Sequence, residues 1–411
     1  MNNPNNRALG TNEKVFWALD QKSSTHFAIA AELKGNATDQ AWRDAIDLVQ
    51  TRHPNLSMRI TGNSYHTAAL EHVNGSKIPL RIVYTKPNED WSTIVTDELN
   101  EPFDLSLAPL VRAVLIQQSG KTIFIFVANH SISDGMSVAL VIGDILNVIS
   151  GQTIASLTAV PSLDEIIGVE LIASQSENVT DHPGLPQPLT RKKTSISYLS
   201  LSKTETEALI RNAKSEHTTV HGALGAALVM ALRNEPLRKE TVRIMHPVSA
   251  RKTLKMGEDF SLLLNIVTSS YPPSSHTFWD LARQVRQHVA LTQDAGWIKN
   301  DTLATQQLFN SNLNIETILQ ALAAGTAHEV MLTNLGELCF ETTYGPLQLI
   351  HIWGPMVLTP HPDARTVGVA TFNGELTLTV TGLFESPDLL ESVREILEQA
   401  CLINTYHHEQ Q

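Results

Sequence analysis

The sequence predicts an α/β chain, α+β in detail, folded as two similar lobes. Three observations carry that prediction. The 411 residues are enough for two or more folding units. Helical and strand periodicities alternate in a similar order in both halves. Between about Thr153 and Thr194 periodicity weakens, and Asp181-His182-Pro183-Gly184-Leu185-Pro186-Gln187-Pro188 is dense in residues that oppose regular structure. The boundaries that follow are an N-terminal lobe over 1–175, a linker or crossover over 176–194 and a C-terminal lobe over 195–411.

In chain order, Glu13 to Leu19 carries Val15, Phe16 and Trp17, and Thr25 to Leu33 alternates loosely as a strand does. Thr38 or Asp39 caps a helix in which Trp42, Ala45, Ile46 and Val49 recur at helical spacing, ending near Arg52-His53-Pro54. Leu56 to Ile60 reads as a strand and Trp91 to Leu99 as a helix. Val111 to Ile116 and Ile123 to Val127 are β-branched runs joined by Ser119-Gly120-Lys121, a hairpin. Met136 to Ile149 resumes an apolar helical pattern. In the second half Ile196 to Leu201 is a strand, and a capped helix starts near Thr204. Val220 to Leu232 has the Ala and Gly content of a tightly packed helix. Thr241 to Met245 and Leu262 to Thr268 are strands, followed by a helix over Thr277 to Leu291. The remaining strands are Val330 to Leu332, Leu347 to Trp353, Val367 to Phe372 and Glu375 to Thr381, and the last helix is Pro387 to Leu402. No sequence repeat relates the halves.

Composition narrows the function classes. With 42% hydrophobic and 18% charged residues, the chain is an ordinary globular one rather than disordered, collagen-like or coiled coil. Forty-two acidic against 30 basic side chains give a formal charge of −12. Such a field repels phosphate backbones and anionic headgroups, so no nucleic-acid partner is expected. Cys339 and Cys401 stand far apart with no C-x-x-C, which indicates neither a disulfide framework nor a thiolate zinc site and fits a reducing compartment. The amino terminus is polar, and the most apolar stretch, Val138 to Ile149, is short and interrupted by Asp144. The expectation is a cytoplasmic protein with no transmembrane segment.

The chemistry concentrates in Phe124-Ile125-Phe126-Val127-Ala128-Asn129-His130-Ser131-Ile132-Ser133-Asp134-Gly135, a strand running into a turn and then a helix. A histidine leaving a buried strand is held by the sheet yet presents a ring nitrogen to a cavity, the position of a general base. Alone, such a histidine is more often a hydrogen-bonded structural one. Asp134, before the tight reversal that Gly135 permits, reads as fixing the loop rather than acting on substrate. Asn129 reads as a partner of the loop backbone. His130 and Asp134 have no third ligand nearby, so no metal site is expected. His217 and His221 read as structural. Gly135-Met136-Ser137-Val138-Ala139 approximates a nucleophile elbow, but its last glycine is alanine and the histidine precedes it, which makes a serine hydrolase a minor alternative. Arg191-Lys192-Lys193 either meets an acidic carrier protein or is merely solvated.

Asn129-His130-Ser131-Ile132-Ser133-Asp134-Gly135 resembles the His-His-x-x-x-Asp-Gly signature of the histidine-motif acyltransferases. That superfamily includes nonribosomal-peptide condensation domains, plant-type CoA acyltransferases and mycobacterial polyketide-associated (PapA-type) acyltransferases. Asn129 stands where the first, more replaceable histidine would be. Glu13-Lys14-Val15-Phe16-Trp17, Arg52-His53-Pro54-Asn55-Leu56, Pro102-Phe103-Asp104-Leu105 and Pro109-Leu110-Val111-Arg112 resemble family segments of the first half, in the family's order. Thr218 to Leu224, Pro247-Val248-Ser249-Ala250-Arg251, Thr333-Asn334-Leu335-Gly336 and Phe372-Asn373-Gly374-Glu375-Leu376 resemble segments of the second. The Asp-Phe-Gly-Trp-Gly box of the plant branch is absent, which places the chain nearer the condensation-like and polyketide-associated branches.

The resemblance implies two chloramphenicol-acetyltransferase-like lobes with mixed sheets and an active-site tunnel at their interface. It implies His130 as general base, removing a proton from an alcohol or amine acceptor as it attacks a thioester. The donor would be acyl-CoA or a phosphopantetheinyl acyl carrier protein, with no permanently bound cofactor. A carrier protein or polyketide synthase is a further candidate partner, and the setting is secondary metabolism. Asp134 and Gly135 would be structural at the site, with Arg251 pairing Asp134, and Asn334 and Gly336 would line the tunnel or meet the oxyanion. Two alternatives stay open: a catalytically degenerate binding or scaffold protein, and the same fold turned to a non-transfer reaction such as cyclisation of a polyketide.

Overall fold

The computed structural model describes residues 5–64, 66–86, 89–171, 194–235, 241–311, 313–359, 361, 363–383 and 388–408, the last six by backbone alone. The crossover expected over 176–194 and Arg191-Lys192-Lys193 lie outside the described residues, Thr194 excepted.

Two six-stranded mixed sheets organise the molecule. The first has the spatial order Thr343–Tyr344, Leu347–Val357, His26–Lys34, Lys121–Asn129, Val111–Gln118, Leu80–Tyr84, antiparallel throughout except for its last pair. Its central strand Lys121–Asn129 is a run of Ile, Phe, Val and Ala that is almost entirely buried, because both faces of the sheet are covered. On one face lie the helices Asp39–Arg52 and Gly135–Ile149, and Trp42 stacks on Phe124 at 4.7 Å. Thr38 caps the first of these helices by accepting from the Ala41 N–H.

The second sheet has the order Leu264–Tyr271, Val242–Ser249, Val330–Leu338, Arg365–Phe372, Glu375–Gly382, Ser195–Leu201, with Val330–Leu338 parallel to both neighbours. Val220–Asn234, Phe278–Leu291 and Leu389–His408 pack together over it. The small residues of Val220–Asn234 face that packing: a Cβ at Gly225 would stand 2.8 Å from Val285 and one at Gly222 would stand 2.6 Å from the Ala282 carbonyl.

The sequence places a strand over Leu347 to Trp353 in the second lobe; it is present as Leu347–Val357 but lies elsewhere. It pairs with His26–Lys34 in the first sheet. Alternating apolar residues specify a strand with a buried face but not the partner, which is a contact across more than 300 residues of chain. From there it meets the second sheet. Thr377 Oγ1 donates to the Ile352 carbonyl at 2.6 Å, and a Cβ at Gly368 would fall 2.1 Å from the Pro355 carbonyl oxygen. Only glycine fits at 368, so the two sheets touch there.

Two helices of more than ten residues have no counterpart in the sequence reading, Ala295–Phe309 and Ile315–Gly325. Both pack beside the first helix, Thr11–Asp20, where the two lobes face each other.

Candidate active site at the meeting of the lobes

The site begins where Lys121–Asn129 ends. The His130 N–H donates to the Thr25 carbonyl at 3.1 Å, which carries the ladder one residue past the strand. Asn129, fully buried, divides its carboxamide: Nδ2 donates to Asp20 Oδ1 at 3.2 Å, and Oδ1 accepts from the Ser131 N–H at 2.9 Å. Ser133 Oγ closes the turn on the Asn129 carbonyl at 3.1 Å. Asn129 thus holds the turn from behind and does not line the cavity.

That turn sets the tautomer of His130. Its Nδ1 lies 3.1 Å from the Ser133 carbonyl, which can only accept, so Nδ1 carries the proton and Nε2 keeps a free lone pair. The ring is clamped between Phe16 at 4.7 Å and Phe27 at 4.2 Å, with interplanar angles of 22° and 27°. Burial between two apolar rings lowers its pKa from 6.5 to about 4, against the upward pull of the Ser133 carbonyl and the Asp134 charge. His130 is therefore neutral at pH 7, with one lone pair available to a bound molecule.

Asp134 points away from that lone pair. As N-cap of Gly135–Ile149 it accepts from the Ser137 N–H and hydroxyl, both at 2.8 Å, and from the Leu263 N–H at 2.9 Å in the other half of the chain. Arg251 Nη2 approaches it at 3.5 Å and Ser137 Oγ at 2.7 Å, while Nη1 reaches the Gly257 carbonyl. Both charged groups are buried, at 3% and 7% exposure, so the pair and its hydrogen bonds clasp the two halves behind the turn that carries His130. Gly135 lies in the cavity wall, where a Cβ would come 2.8 Å from Pro355.

His130 opens into a cavity of about 1000 Å³, its mouth included, walled mainly by apolar side chains of both lobes. Met245 and Pro247, Leu264 and Ile266, and Met331 and Thr333 enter it as i, i+2 pairs from three strands of the second sheet. A second cavity of about 830 Å³ adjoins it across a wall that includes Val15, Phe16 and Leu322. Asn334 and Gly336 are not among the lining residues. Alternation along Val330–Leu338 turns Asn334 to the opposite face from Thr333, and its side-chain oxygen accepts from the Gly336 N–H at 2.7 Å.

The sequence reading passed over several residues of this wall: Thr333, one position before Asn334, and the histidines His328 and His361. Alternation groups Thr333 with Met331 on one face, but it does not say which face of the strand meets the cavity. His221, in contrast, faces away. Its Nε2 meets His246 Nδ1 at 2.9 Å, and His246 passes the chain to Ser269 and Tyr271 inside the second lobe. Among the described residues no three His, Cys, Asp or Glu side chains stand together as a metal site, and no helix is long and apolar enough to cross a membrane.

Comparison with known proteins matches both halves. Residues 16–162 fit the condensation domain model, and residues 190–381 fit the model of the phthiocerol/phthiodiolone dimycocerosyl transferase C-terminus. Tyrocidine synthase 3 of Brevibacillus parabrevis is 31% identical over 127 residues, 30% of this chain and 2% of that synthase. The chain thus spans only a few per cent of the length of the synthases it matches. Polyketide synthase associated protein 5 from Mycobacterium tuberculosis superposes with a TM-score of 0.65 at 20% identity, covering 95% of this chain and 97% of that one. The condensation domain of Monacolin K polyketide synthase does so with a TM-score of 0.65 at 12% identity, covering 97% of each.

Proposed function

Given a chain with the condensation-like, PapA-type acyltransferase fold, we propose that it transfers an acyl group from a thioester, on CoA or on a phosphopantetheinyl carrier protein, to an alcohol or amine. The single observation that carries this reading is the lone pair of His130 Nε2, tautomerically fixed and facing an apolar cavity between the lobes.

In the proposed reaction the acceptor oxygen or nitrogen attacks the thioester carbonyl while Nε2 takes its proton. The tetrahedral intermediate then expels the thiolate, which receives that proton from the imidazolium. The new C–O or C–N bond replaces the C–S bond, the thiol leaves protonated, and His130 returns neutral. A base with a pKa of about 4 is weaker than an ordinary histidine by about 3 kcal/mol. Proton transfer therefore has to accompany bond formation, when the acceptor proton becomes acidic. The same dry walls that depress the pKa strengthen the attraction between the imidazolium and the developing oxyanion. They also exclude water, whose attack would hydrolyse the donor. Thr333 carries a hydroxyl on the cavity wall that can meet the oxyanion, a role for which Asn334 and Gly336 are less well placed; the other wall hydroxyl, Thr359 Oγ1, donates to the His361 carbonyl at 3.2 Å.

The test is to follow free thiol and product mass with a panel of acyl-CoA donors and alcohol acceptors. Acceptor-dependent thiol release is expected, and it should fall roughly 10²–10⁴-fold in His130→Ala. Binding without turnover by the wild type would leave a scaffold, and an isomerised product with no acyl gain would leave a cyclisation.

A further inference from the structure

The cavity holds a second imidazole built like the first. His328 Nδ1 lies 2.6 Å from the Thr326 carbonyl, at the end of Ile315–Gly325, so Nδ1 carries the proton and Nε2 is a bare lone pair. That nitrogen is buried with no hydrogen-bond partner, in a residue only 5% exposed. Against it, in a T-shaped arrangement with ring centroids 5.1 Å apart, stands His361, whose Nε2 is likewise buried and unpartnered. Both residues line the cavity into which His130 opens, on a wall otherwise made largely of Leu, Met, Val and Pro side chains.

Two unsatisfied imidazole nitrogens in an apolar wall cost free energy unless something occupies them. His328 can only accept there. Among the described residues no carbonyl is bonded to a ring nitrogen of His361, which leaves its Nε2 able to donate. We infer that His328 and His361 form a polar subsite that binds a hydroxyl group on the substrate away from the reacting atoms, the hydroxyl donating to His328 Nε2 and accepting from His361 Nε2. An ether cannot donate, a carboxylate cannot donate and an ammonium cannot accept, so of these four groups only the hydroxyl satisfies both nitrogens. Burial lowers the pKa of His328 to about 4 and that of His361 below its ordinary value, which keeps both neutral and suited to this pairing.

This inference rests on the transfer reading for which substrate carries the hydroxyl, but not for the existence of the subsite. The test therefore uses binding as well as turnover. One arm titrates ω-hydroxy and ω-methoxy alkanols of four to ten carbons into the protein by calorimetry. The other compares ω-hydroxyacyl-CoA with ω-methoxyacyl-CoA of the same lengths. At the chain length that reaches the subsite, the hydroxyl should bind roughly tenfold tighter than the methyl ether. The arm that shows the preference identifies whether acceptor or acyl chain lies on this wall. His328→Phe and His361→Leu should each remove the preference. If a variant does not fold, ¹⁵N spectra of wild-type histidines give the same answer: the Nε2 signal of His328 should move on adding the hydroxyl probe and stay with the ether. Equal binding of hydroxyl and ether at every length in both arms overturns the proposal, as does a preference that survives both substitutions. Because calorimetry needs no chemistry, a hydroxyl preference in a protein that releases no thiol keeps the subsite and removes only the transfer reading.

Discussion

Acidification should unfold this protein before it protonates His130. Burial holds His26 at a pKa of about 3, His130, His221 and His328 at about 4, and His246 well below 6.5. In the unfolded chain each of these rings titrates near 6.5. Between about pH 6.5 and pH 4 the unfolded state therefore binds more protons than the folded one, and stability falls as pH falls through that window. Each histidine contributes about 1.4 kcal/mol per pH unit, so five give a slope of about 7 kcal/mol per unit. Asp20, Asp164 and Asp301, raised by burial, and His351, raised by Glu32 and Glu375, bind protons in the folded state and offset part of this. A net uptake of two to five protons, about 3–7 kcal/mol per unit, is enough to exhaust a stability of roughly 5–15 kcal/mol within the window. Urea unfolding followed by circular dichroism at pH 7.5, 6.5, 5.5 and 4.5 measures the slope. The midpoint should fall steeply below pH 6.5, and activity should be lost with structure rather than along a separate curve. A slope under one proton between pH 6 and pH 5 would refute the argument, because these rings would then not be desolvated as their burial requires.

Other expectations follow from the same geometry. Asp134→Asn leaves Arg251 buried without its counter-charge and turns an amide N–H toward one of its present donors. It should cost about 3 kcal/mol, read as a drop in urea midpoint, and an unchanged midpoint would show that the clasp between the halves is not held by this pair. Gly368→Ala drives a methyl group into the Pro355 carbonyl, 2.1 Å from the ideal Cβ position, so the sheets must part. A loss of at least about 2 kcal/mol is expected in the same assay, larger than that of an alanine placed at the open Gly75.

Much of the site is local and so was legible. The apolar run Ile123 to Ala128, the turn residues after it and the capping Asp134 lie within a dozen positions, and neighbouring residues alone place His130 at the end of a buried strand. The capped helix from Thr38 is legible for the same reason. The aromatic clamp is half legible: Phe27 sits on the strand next to that of His130, but Phe16 arrives from the helix Thr11–Asp20, and no sequence pattern states that these rings meet. The helix Ala295–Phe309 went unread because its apolar residues are too scattered to form a stripe, whereas Ile315–Gly325, capped by Asn314 and with Ile315, Ile318, Leu319 and Leu322 on one side, carries a helix signal that the sequence reading missed.

What the sequence by itself determined is a two-lobed α/β chain whose one strand-turn-helix motif carries His130 and Asp134. Tertiary structure alone decided that Leu347–Val357 completes the first sheet, that Thr333 rather than Asn334 faces the cavity, and that His328 and His361 come together on its wall. The reason is physical. Periodicity in a chain records which side chains leave water, whereas the identity of what they meet is settled by pairing between segments hundreds of residues apart.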